Sequence, residues 1–321
     1  MHDFSIVVVP GAFASSVACT LDILATAATI GAQCALATPR WRICGPQPGP
    51  VTLGHGLVLQ VEPMYDSAQD NSCWIIPGIG VSDVDLLEQR LAQPWTVPLL
   101  AALGTRIANG KEVAASCSAV FLLHAAGLLD GKRVTTSWWL AAHLQALAPG
   151  CRVEPDFMVL ADPPLTTAGA AFAQTDLMLQ LLRRRVSPEI ADRVSKALLL
   201  DRRQLQSPFV IPAILVQGNA LVSRLTAQIE KALPQLTSVK ALAASAGMSE
   251  RTLSRHVHKA TGHSTRQLIQ RVQLNKARAL LEAGQYSVEE VATQVGYQDP
   301  TALRRLMRRL LNATPRQLRQ H

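Results

Sequence analysis

The pattern of hydrophobic and polar positions changes near residue 220. Before that point, short apolar runs typical of strands alternate with stretches of helical periodicity. The strand candidates lie at 4–9, 40–45, 57–62, 72–78, 106–110, 112–116, 133–138 and 157–169, and the helix candidates at 15–31, 82–90, 94–103, 118–127, 138–147 and 170–184. Strands that alternate with helices predict an α/β fold, a parallel sheet covered on both faces. Sites in such sheets form beyond the carboxyl ends of the strands, where the motifs PGAF and PGIG and Cys117 fall.

Beyond residue 220 the helical patterns follow one another without a strand candidate, and one design occurs twice. Residues 237–262 combine a helix that starts at a capping serine or threonine with a turn at Gly247 and a second helix. Residues 286–320 repeat that order around Gly296. A helix, a short glycine-containing turn and a second helix make up the helix-turn-helix layout, and glycine suits the left-handed backbone of such a turn. The sequence therefore predicts an all-α domain with two helix-turn-helix units.

Charge is divided unevenly between these two parts. Residues 1–220 hold 15 Lys and Arg against 17 Asp and Glu, a net charge of −2, whereas residues 221–321 hold 16 against 6, a net charge of +10. A nearly neutral body joined to a basic tail indicates that only the tail meets a polyanion. Because 321 residues exceed the usual size of one domain, we predict a first domain over 1–190, a linker over 191–220 and a helical domain over 221–321.

Composition narrows the class of protein further. The six cysteines are scattered without a CxxC pair, and the first residues lack a basic segment before their apolar stretch. These features favour reduced thiols in a cytoplasmic protein over a secreted disulfide framework, and the short apolar runs argue against a membrane span. The histidines show no metal-ligand spacing and the glycines no dinucleotide fingerprint, so neither a metal nor a cofactor is predicted.

Four segments of the tail resemble the AraC/XylS-type DNA-binding domain: LAASAGMSERTLSRHVHKATG, QLIQRVQLNKARALL, SVEEVATQVGYQDPTALRRLMRR and TPRQLR. The resemblance implies two helix-turn-helix units joined by a long helix near 264–283, with two recognition helices in successive major grooves of double-stranded DNA. Arginine pairs with guanine but also holds phosphates, so both roles stay open for each arginine. The predicted DNA-binding residues are Glu250, Arg251, Ser254, Arg255, Thr301, Arg304, Arg305 and Arg308.

The segments WIIPGIG, EVAASCSAVFLLHAAGLLDGKRVTTSWW and LTTAGAAFAQTDLMLQLL resemble the PfpI-like, class I glutamine amidotransferase-like fold, which has a flavodoxin-like sheet. With an AraC-type domain behind it, the whole chain is similar to the GlxA family of transcriptional regulators. The resemblance implies a strand-to-helix elbow at Cys117 that faces backbone N–H groups of the PGIG loop, and such groups attract negative charge. The candidates for an effector pocket at this elbow are Gly78, Gly80, Cys117, Ser118, Ser137 and Trp138.

A nucleophilic Cys117 would need a base and an orienting partner within hydrogen-bond reach. Hydrolytic members of the fold commonly carry histidine directly after the cysteine, where this chain has Ser118. Many members carry an acid near the position of Ser16, and the regulators often have histidine at the position of Ser137. Serine at all three positions argues against turnover, so no catalytic residue is assigned. Three roles stay open for Cys117: the floor of an effector pocket, a buried structural thiol, or an active nucleophile.

These features predict a DNA-binding transcriptional regulator that responds to a small metabolite, amino-acid-like or a nitrogen compound, in a degenerate amidotransferase-like pocket. The alternative is a PfpI-like cysteine amidase or glyoxalase-type enzyme with an attached DNA-binding domain. A third hypothesis is a DNA-binding protein whose large domain only dimerises. The expected partners are promoter or operator DNA, the effector, a second copy of the chain in a homodimer, and RNA polymerase, but no membrane. The sequence leaves open which effector and operator are bound and whether transcription is activated or repressed.

Overall fold

A computed structural model of the chain describes residues 2–64, 70–81, 83–200, 220–235, 237–261, 263–311 and 314–318. The chain divides into two compact units, Met1–Gln204 and Leu205–His321. Within the described residues, every strand belongs to the first unit, and the second unit consists of helices. The predicted fold class, an α/β domain followed by an all-α domain, is confirmed.

The first unit is built on a mostly parallel sheet. Its strands are β1 (Phe4–Val7), β2 (Trp41–Gly45), β3 (Gly49–Thr52), β4 (Val58–Pro63), β5 (Cys73–Ile76), β6 (Val113–Ser116), β7 (Arg133–Val134), β8 (Arg152–Val153), β9 (Val159–Asp162) and β10 (Leu165–Ala168). Eight of them lie in the order β3-β4-β2-β1-β5-β6-β10-β9, while β7 and β8 pair separately. Only the outer pairs β3–β4 and β9–β10 of the large sheet are antiparallel. The inner order β2-β1-β5-β6-β10 is the flavodoxin-like arrangement.

The described part of the first unit contains seven helices: α1 (Ala14–Gln33), α2 (Val84–Leu91), α3 (Thr96–Ala108), α4 (Val120–Ala125), α5 (Ala141–Leu147), α6 (Ala173–Arg185) and α7 (Pro188–Ala197). Every residue of β1, β5, β6 and β10 is buried, because helices cover both faces of a parallel sheet. Among the described helices, α1 alone is long and apolar enough to cross a membrane by length and composition. Its buried side chains, such as Val17, Ile23 and Leu24, belong to the core of the unit, and α1 packs on α6 and α7.

One predicted strand is wrong, because residues 106–110 begin with the last residues of α3. Arg106 is fully buried there on the same helical face as Leu99 and Leu103. Its Nη1 lies 3.3 Å from Oδ2 of Asp70, and its guanidinium carbon lies 4.5 Å from the ring centroid of Trp74. Arg106 is buried by partners more than 30 residues away in sequence, so no local pattern identifies it as a core residue. For this reason the helix predicted over 94–103 ends too early, and α3 continues to Ala108.

The predicted strand 157–169 is two strands. The chain reverses at Pro163–Pro164, so that β9 and β10 pair in antiparallel register, with Leu165 opposite Asp162. Proline lacks the backbone N–H that a continuous strand would use. The edge strand β3 was not predicted, and its Pro50 is consistent with an edge position, where one unpaired backbone group is tolerated.

The segment 191–220, predicted as a linker, begins inside α7. That helix starts with a Ser187 cap followed by Pro188, and it buries Ile190 and Val194 in the core of the first unit. Residues 201–219 lie outside the described residues, so the exact extent of the linker and the two domain boundaries stay a prediction.

The second unit is arranged around one long helix. Its helices are α8 (Ala220–Ala232), α9 (Val239–Ser245), α10 (Glu250–Thr261), α11 (Thr265–Glu282), α12 (Val288–Gln294), α13 (Pro300–Leu311) and α14 (Pro315–Leu318). Helix α11 packs on α8 and α10, and also on α12, α13 and α14. Leu274, Ala277 and Leu281 of its second half share one core with Leu303 and Met307 of α13. The pairs α9–α10 and α12–α13 are the two predicted helix-turn-helix motifs.

Candidate effector pocket and DNA-binding surface

The elbow at Cys117 joins β6 to α4 at the carboxyl edge of the sheet. After the fully buried strand β6, residues Cys117–Ala119 form one 3₁₀ turn. Cys117 has a φ of +55°, and this left-handed conformation costs a non-glycine residue about 1–2 kcal/mol. The hydroxyl of Thr136 donates to the carbonyl oxygen of Cys117 over 2.7 Å and helps hold the backbone there. Such strain at a defined turn is typical of positions that aim a side chain.

The thiol of Cys117 is enclosed by hydroxyl groups and backbone. Its Sγ lies 2.9 Å from Oγ of Ser137, and the hydroxyl of Ser118 accepts a hydrogen bond from the Ile79 N–H over 3.1 Å. All three side chains have zero solvent exposure. Burial raises the pKa of the Cys117 thiol, and the hydrogen bonds from Ser137 and Ser118 offset only part of that effect. A raised pKa favours the protonated thiol at neutral pH over the thiolate that a nucleophile requires.

The PGIG loop packs directly onto the elbow. A Cβ at Gly78 would lie 2.9 Å from Cβ of Cys117 and 3.2 Å from the ring of Phe13, so no larger residue fits. The Gly78 carbonyl accepts a hydrogen bond from the Phe13 N–H over 2.8 Å. Gly80 has a positive φ, and a Cβ there would collide with the carbonyl oxygen of Gly11. The loops after β1 and β5 and the elbow thus form one packed surface.

Arg90, near the end of α2, also lies at this edge, and no sequence pattern predicts it there. Its guanidinium lies against Gly11, where a Cβ would clash with it, and its Nη1 donates to the Pro10 carbonyl over 3.3 Å. Its Nε is buried and has no hydrogen-bond partner among the described residues. An arginine near the end of an amphipathic helix looks like a surface residue in sequence. The fold instead brings this cation to the loop after β1, which also contacts Gly80.

Two other sequence candidates have structural contacts of their own. The Ser16 hydroxyl donates to the Ala171 carbonyl over 3.1 Å. Trp138 is 3% exposed and packs edge to face with Trp139, their ring centroids 5.3 Å apart. The six predicted pocket residues therefore lie in buried or half-buried positions around the elbow, and what they bind stays a prediction. No three His, Cys, Asp or Glu side chains cluster as a metal site within the described part of the chain.

The two helix-turn-helix motifs are built by the same local devices. Ser238 caps α9 by accepting from the Ala241 N–H over 3.0 Å, and Ser287 caps α12 in a reciprocal capping box with Glu290. The turns pass through Gly247 at a φ of +65° and Gly296 at a φ of +87°. These are the capping and turn positions that the sequence pattern predicted.

Both recognition helices present charged side chains to solvent. In α10 the residues Leu253 and Val257 face the core, and in α13 the residues Leu303 and Met307 do so. Seven of the eight predicted DNA-binding residues are exposed: Glu250, Arg251, Arg255, Thr301, Arg304, Arg305 and Arg308. Ser254 differs, because it is half-buried and its Oγ lies 3.4 Å from the Thr265 hydroxyl.

An ion pair that no sequence pattern predicts lies on this surface. Arg304 Nη2 lies 2.7 Å from Oε1 of Glu289 in the first turn of α12, and both side chains are substantially exposed. An exposed ion pair of this kind contributes little to stability. In this structure the guanidinium of Arg304 points toward that carboxylate at the start of α12.

Comparison with known proteins agrees with both halves of this description. A family model described as a helix-turn-helix domain matches residues 242–321. The chain is 26% identical over 282 residues to the HTH-type transcriptional regulator CdhR of Pseudomonas aeruginosa. This alignment covers 87% of this chain and 81% of that protein. The chain is 28% identical over 237 residues to the HTH-type transcriptional regulator GlxA of Rhizobium meliloti, covering 71% and 69% of the two chains.

Two solved structures share the fold. A crystal structure of an AraC family transcriptional regulator from Pseudomonas putida aligns with a TM-score of 0.51 at 20% identity, covering 62% of this chain and all of that one. A ThiJ/PfpI family protein from Pseudomonas syringae aligns with a TM-score of 0.51 at 16% identity, covering 85% of this chain and 91% of that one. The predicted resemblance is confirmed: the second unit carries a helix-turn-helix domain of the AraC type, and over most of its length the chain is a relative of HTH-type transcriptional regulators.

Proposed function

We propose that this protein is a DNA-binding transcriptional regulator whose first unit binds a small metabolite. The observation that carries the proposal is the pair of helix-turn-helix motifs, each with exposed arginines on its second helix, in a part of the chain with a net charge of +10. DNA is a dense polyanion, and arginine is the side chain best suited to both phosphates and guanine edges.

The two recognition helices divide the contacts between two half-sites. Arg251 and Arg255 of α10 would enter one major groove, and Arg304, Arg305 and Arg308 of α13 the next. The half-sites lie about 34 Å apart, one turn of the duplex. Arginine pairs bidentately with guanine and discriminates against other bases by about 1–3 kcal/mol. Arg304 can make such a contact by exchanging its weak, exposed ion pair with Glu289 for the base.

The effector site lies at the elbow of the first unit. Ser137, the neutral thiol of Cys117 and the backbone of the PGIG loop offer polar groups of small size, and Arg90 supplies a cation at the same edge of the sheet. A cation beside small polar groups suits a carboxylate-bearing, amino-acid-like metabolite. The raised pKa of Cys117 and the serines at the partner positions favour binding over catalysis. A homodimer, contact with RNA polymerase and a cytoplasmic location belong to the same proposal.

The DNA-binding part is tested by selecting genomic DNA fragments with the purified full chain and footprinting those that are enriched. We expect two protected tracts one helical turn apart. Arg255→Ala and Arg305→Ala should each weaken protection of one tract, whereas Arg193→Ala on α7, an exposed arginine of the first unit, should leave both unchanged. Enrichment without sequence preference, or binding that does not weaken with added salt, would contradict the proposal.

The effector-binding part is tested by thermal unfolding in the presence of a panel of small carboxylate and amine metabolites. All five tryptophans lie before residue 140, so tryptophan fluorescence follows the first unit. A ligand should raise the unfolding midpoint by mass action, and Arg90→Gln should abolish the rise for carboxylates. A shift that survives Arg90→Gln in full would show that Arg90 takes no part in binding.

A further inference from the structure

A groove of about 990 Å³ lies within the second unit, between the two helix-turn-helix motifs. Its floor is formed by α11. One wall is the start of the first motif at 237–239, and the other is the turn of the second motif at 296–299 together with Ala302 of α13. We call it the inter-motif groove. None of the exposed arginines of α10 and α13 lines this groove.

The floor is a single stripe of α11. Arg266, Ile269, Gln270 and Gln273 follow the spacing i, i+3, i+4 and i+7, which places them on one face of the helix. Arg266 is exposed, Gln270 is half-buried, and Gln273 is 2% exposed. The stripe therefore runs from a solvated cation at one end to a buried amide at the other.

Gln273 links the long helix α11 to the second helix-turn-helix motif. Its amide Nε2 donates to the carbonyl oxygen of Val295 over 2.8 Å, at the end of α12. Its Oε1 lies 3.4 Å from the hydroxyl of Tyr297, in the turn that leads to α13. The long helix and this turn are thus joined by a buried polar side chain with both ends bonded, and such a residue fixes geometry.

The position of the groove points to its occupant. Asp299 and Ala302 belong to the amino-terminal turn of the second recognition helix, the end that enters the major groove in helix-turn-helix proteins. Residues 237–239 begin the first helix of the first motif, the helix that crosses the DNA backbone. The groove therefore opens beside the DNA-facing end of α13 and at the backbone-crossing helix of the first motif.

The groove is lined by one cation, Arg266, and one acid, Asp299, and the acid is engaged within its own turn. Arg266 is exposed at the rim, and Gln270, Ser238 and Thr237 add groups that hydrogen-bond to phosphate oxygens. The acid in the groove, Asp299, accepts from the Thr301 N–H over 2.7 Å and lies within the field of Arg304 and Arg305. The surrounding residues 221–321 carry a net charge of +10.

We propose that the inter-motif groove binds the sugar–phosphate backbone of the duplex between the two half-sites, with Arg266 and Gln270 as the contacting side chains. This inference rests on the proposed DNA binding. Contacts to phosphate carry no sequence information but set the register of the protein on DNA. The groove thus adds a third, sequence-independent attachment point between two sequence-reading helices.

The test uses the full chain and a duplex enriched in the genomic selection, with affinity measured between 50 and 200 mM salt. Loss of one neutralised phosphate lowers the slope of log affinity against log salt by about 0.9. Arg266→Gln should show that decrease, and its affinity deficit should be about threefold smaller at 200 mM than at 50 mM salt. The deficit should be equal on the selected duplex and on unrelated DNA. Lys276→Gln, an exposed cation on α11 that does not line the groove, is the matched control and should keep the wild-type slope.

A chemical change in the DNA gives a second readout. Uncharged methylphosphonates placed in the segment between the half-sites should weaken binding of the wild-type chain, and should weaken binding of Arg266→Gln much less because the contact is already lost. Far-UV circular dichroism checks that the variant keeps its helices. If Arg266→Gln keeps the wild-type slope while Arg255→Ala and Arg305→Ala lose affinity, DNA binding stands and the inference about the groove fails. If the wild-type chain binds no duplex selectively, the proposed function fails and the inference falls with it.

Discussion

At Cys117 the backbone is left-handed, and the groups around it compensate for the strain. Thr136 bonds its carbonyl oxygen, and Gly78 leaves the space that the cysteine Cβ fills. The same enclosure removes water from the sulfur, which favours the neutral thiol. The elbow could be predicted because a short apolar strand, small residues and an apolar helix are local in sequence. The state of the sulfur could not, because it depends on Gly78 and Ser137, which lie far from it in the chain.

The raised pKa of Cys117 predicts a thiol that alkylates slowly. Each unit by which a thiol pKa exceeds the pH lowers the thiolate fraction about tenfold, so iodoacetamide should label Cys117 far more slowly at pH 7.5 than the exposed Cys34. Its rate should keep rising with pH beyond the range in which ordinary thiols titrate. The measurement is site-resolved mass spectrometry across pH 6–10, with labelling in urea as the control in which both thiols react alike. Rapid labelling of Cys117 at neutral pH in the folded protein would favour the enzyme alternative.

At the scale of elements, the ends of helices differ in how far the sequence reveals them. Ser238 and Ser287 mark the starts of α9 and α12 through bonds to residues three positions away, so the boundaries of the second unit are readable locally. The end of α3 cannot be predicted locally, because Arg106 in its last turn is buried against Asp70, which is distant in sequence. The carboxylate of Asp70 also meets Arg42 of β2 over 2.9 Å. This cluster joins β2, the residues before β5, and α3 through contacts that no local pattern encodes.

The Asp70 cluster predicts a pH dependence of stability. Burial raises the pKa of Asp70, but hydrogen bonds from Ser72 and Trp74 and the charge of Arg106 lower it by more, so its pKa lies below the usual range. A carboxyl with a depressed folded-state pKa contributes stability above its unfolded pKa and loses it as the pH falls through the folded pKa. Asp70→Asn should therefore be less stable than the wild type at pH 7 and should converge with it as the pH falls below about 4.

The measurement for Asp70→Asn is urea unfolding followed by tryptophan fluorescence at several pH values between 7 and 3. Asp22→Asn on the exposed face of α1 is the matched control, and its difference from the wild type should be small at every pH. A deficit in Asp70→Asn that stays constant down to pH 3 would mean that ionisation of Asp70 does not stabilise the fold.

At the scale of the whole molecule, the two parts of the chain differ in amino-acid composition. The first 220 residues carry a net charge of −2 and all five tryptophans, and the remaining residues carry a net charge of +10 and none. Composition is additive and needs no knowledge of contacts, so the two-part organisation and the DNA-binding class could be predicted from the sequence. The chemistry of the effector site could not, because the fold brings Arg90 to the loop after β1 from a helix whose sequence pattern is that of a surface helix.

This division predicts that a polyanion stabilises one unit and leaves the other unaffected. A ligand that binds the folded state adds about 2.7 kcal/mol of stability at a hundredfold excess over its dissociation constant. Dextran sulfate should therefore raise the thermal midpoint of the helical second unit, measured by amide hydrogen exchange in peptides from α10 to α13. It should leave the midpoint from tryptophan fluorescence unchanged, because the first unit has a net charge near zero. Uncharged dextran is the control and should move neither. A fluorescence midpoint that rises in parallel with protection of the second unit would show that the first unit also binds the polyanion, against the charge partition on which the proposed function rests.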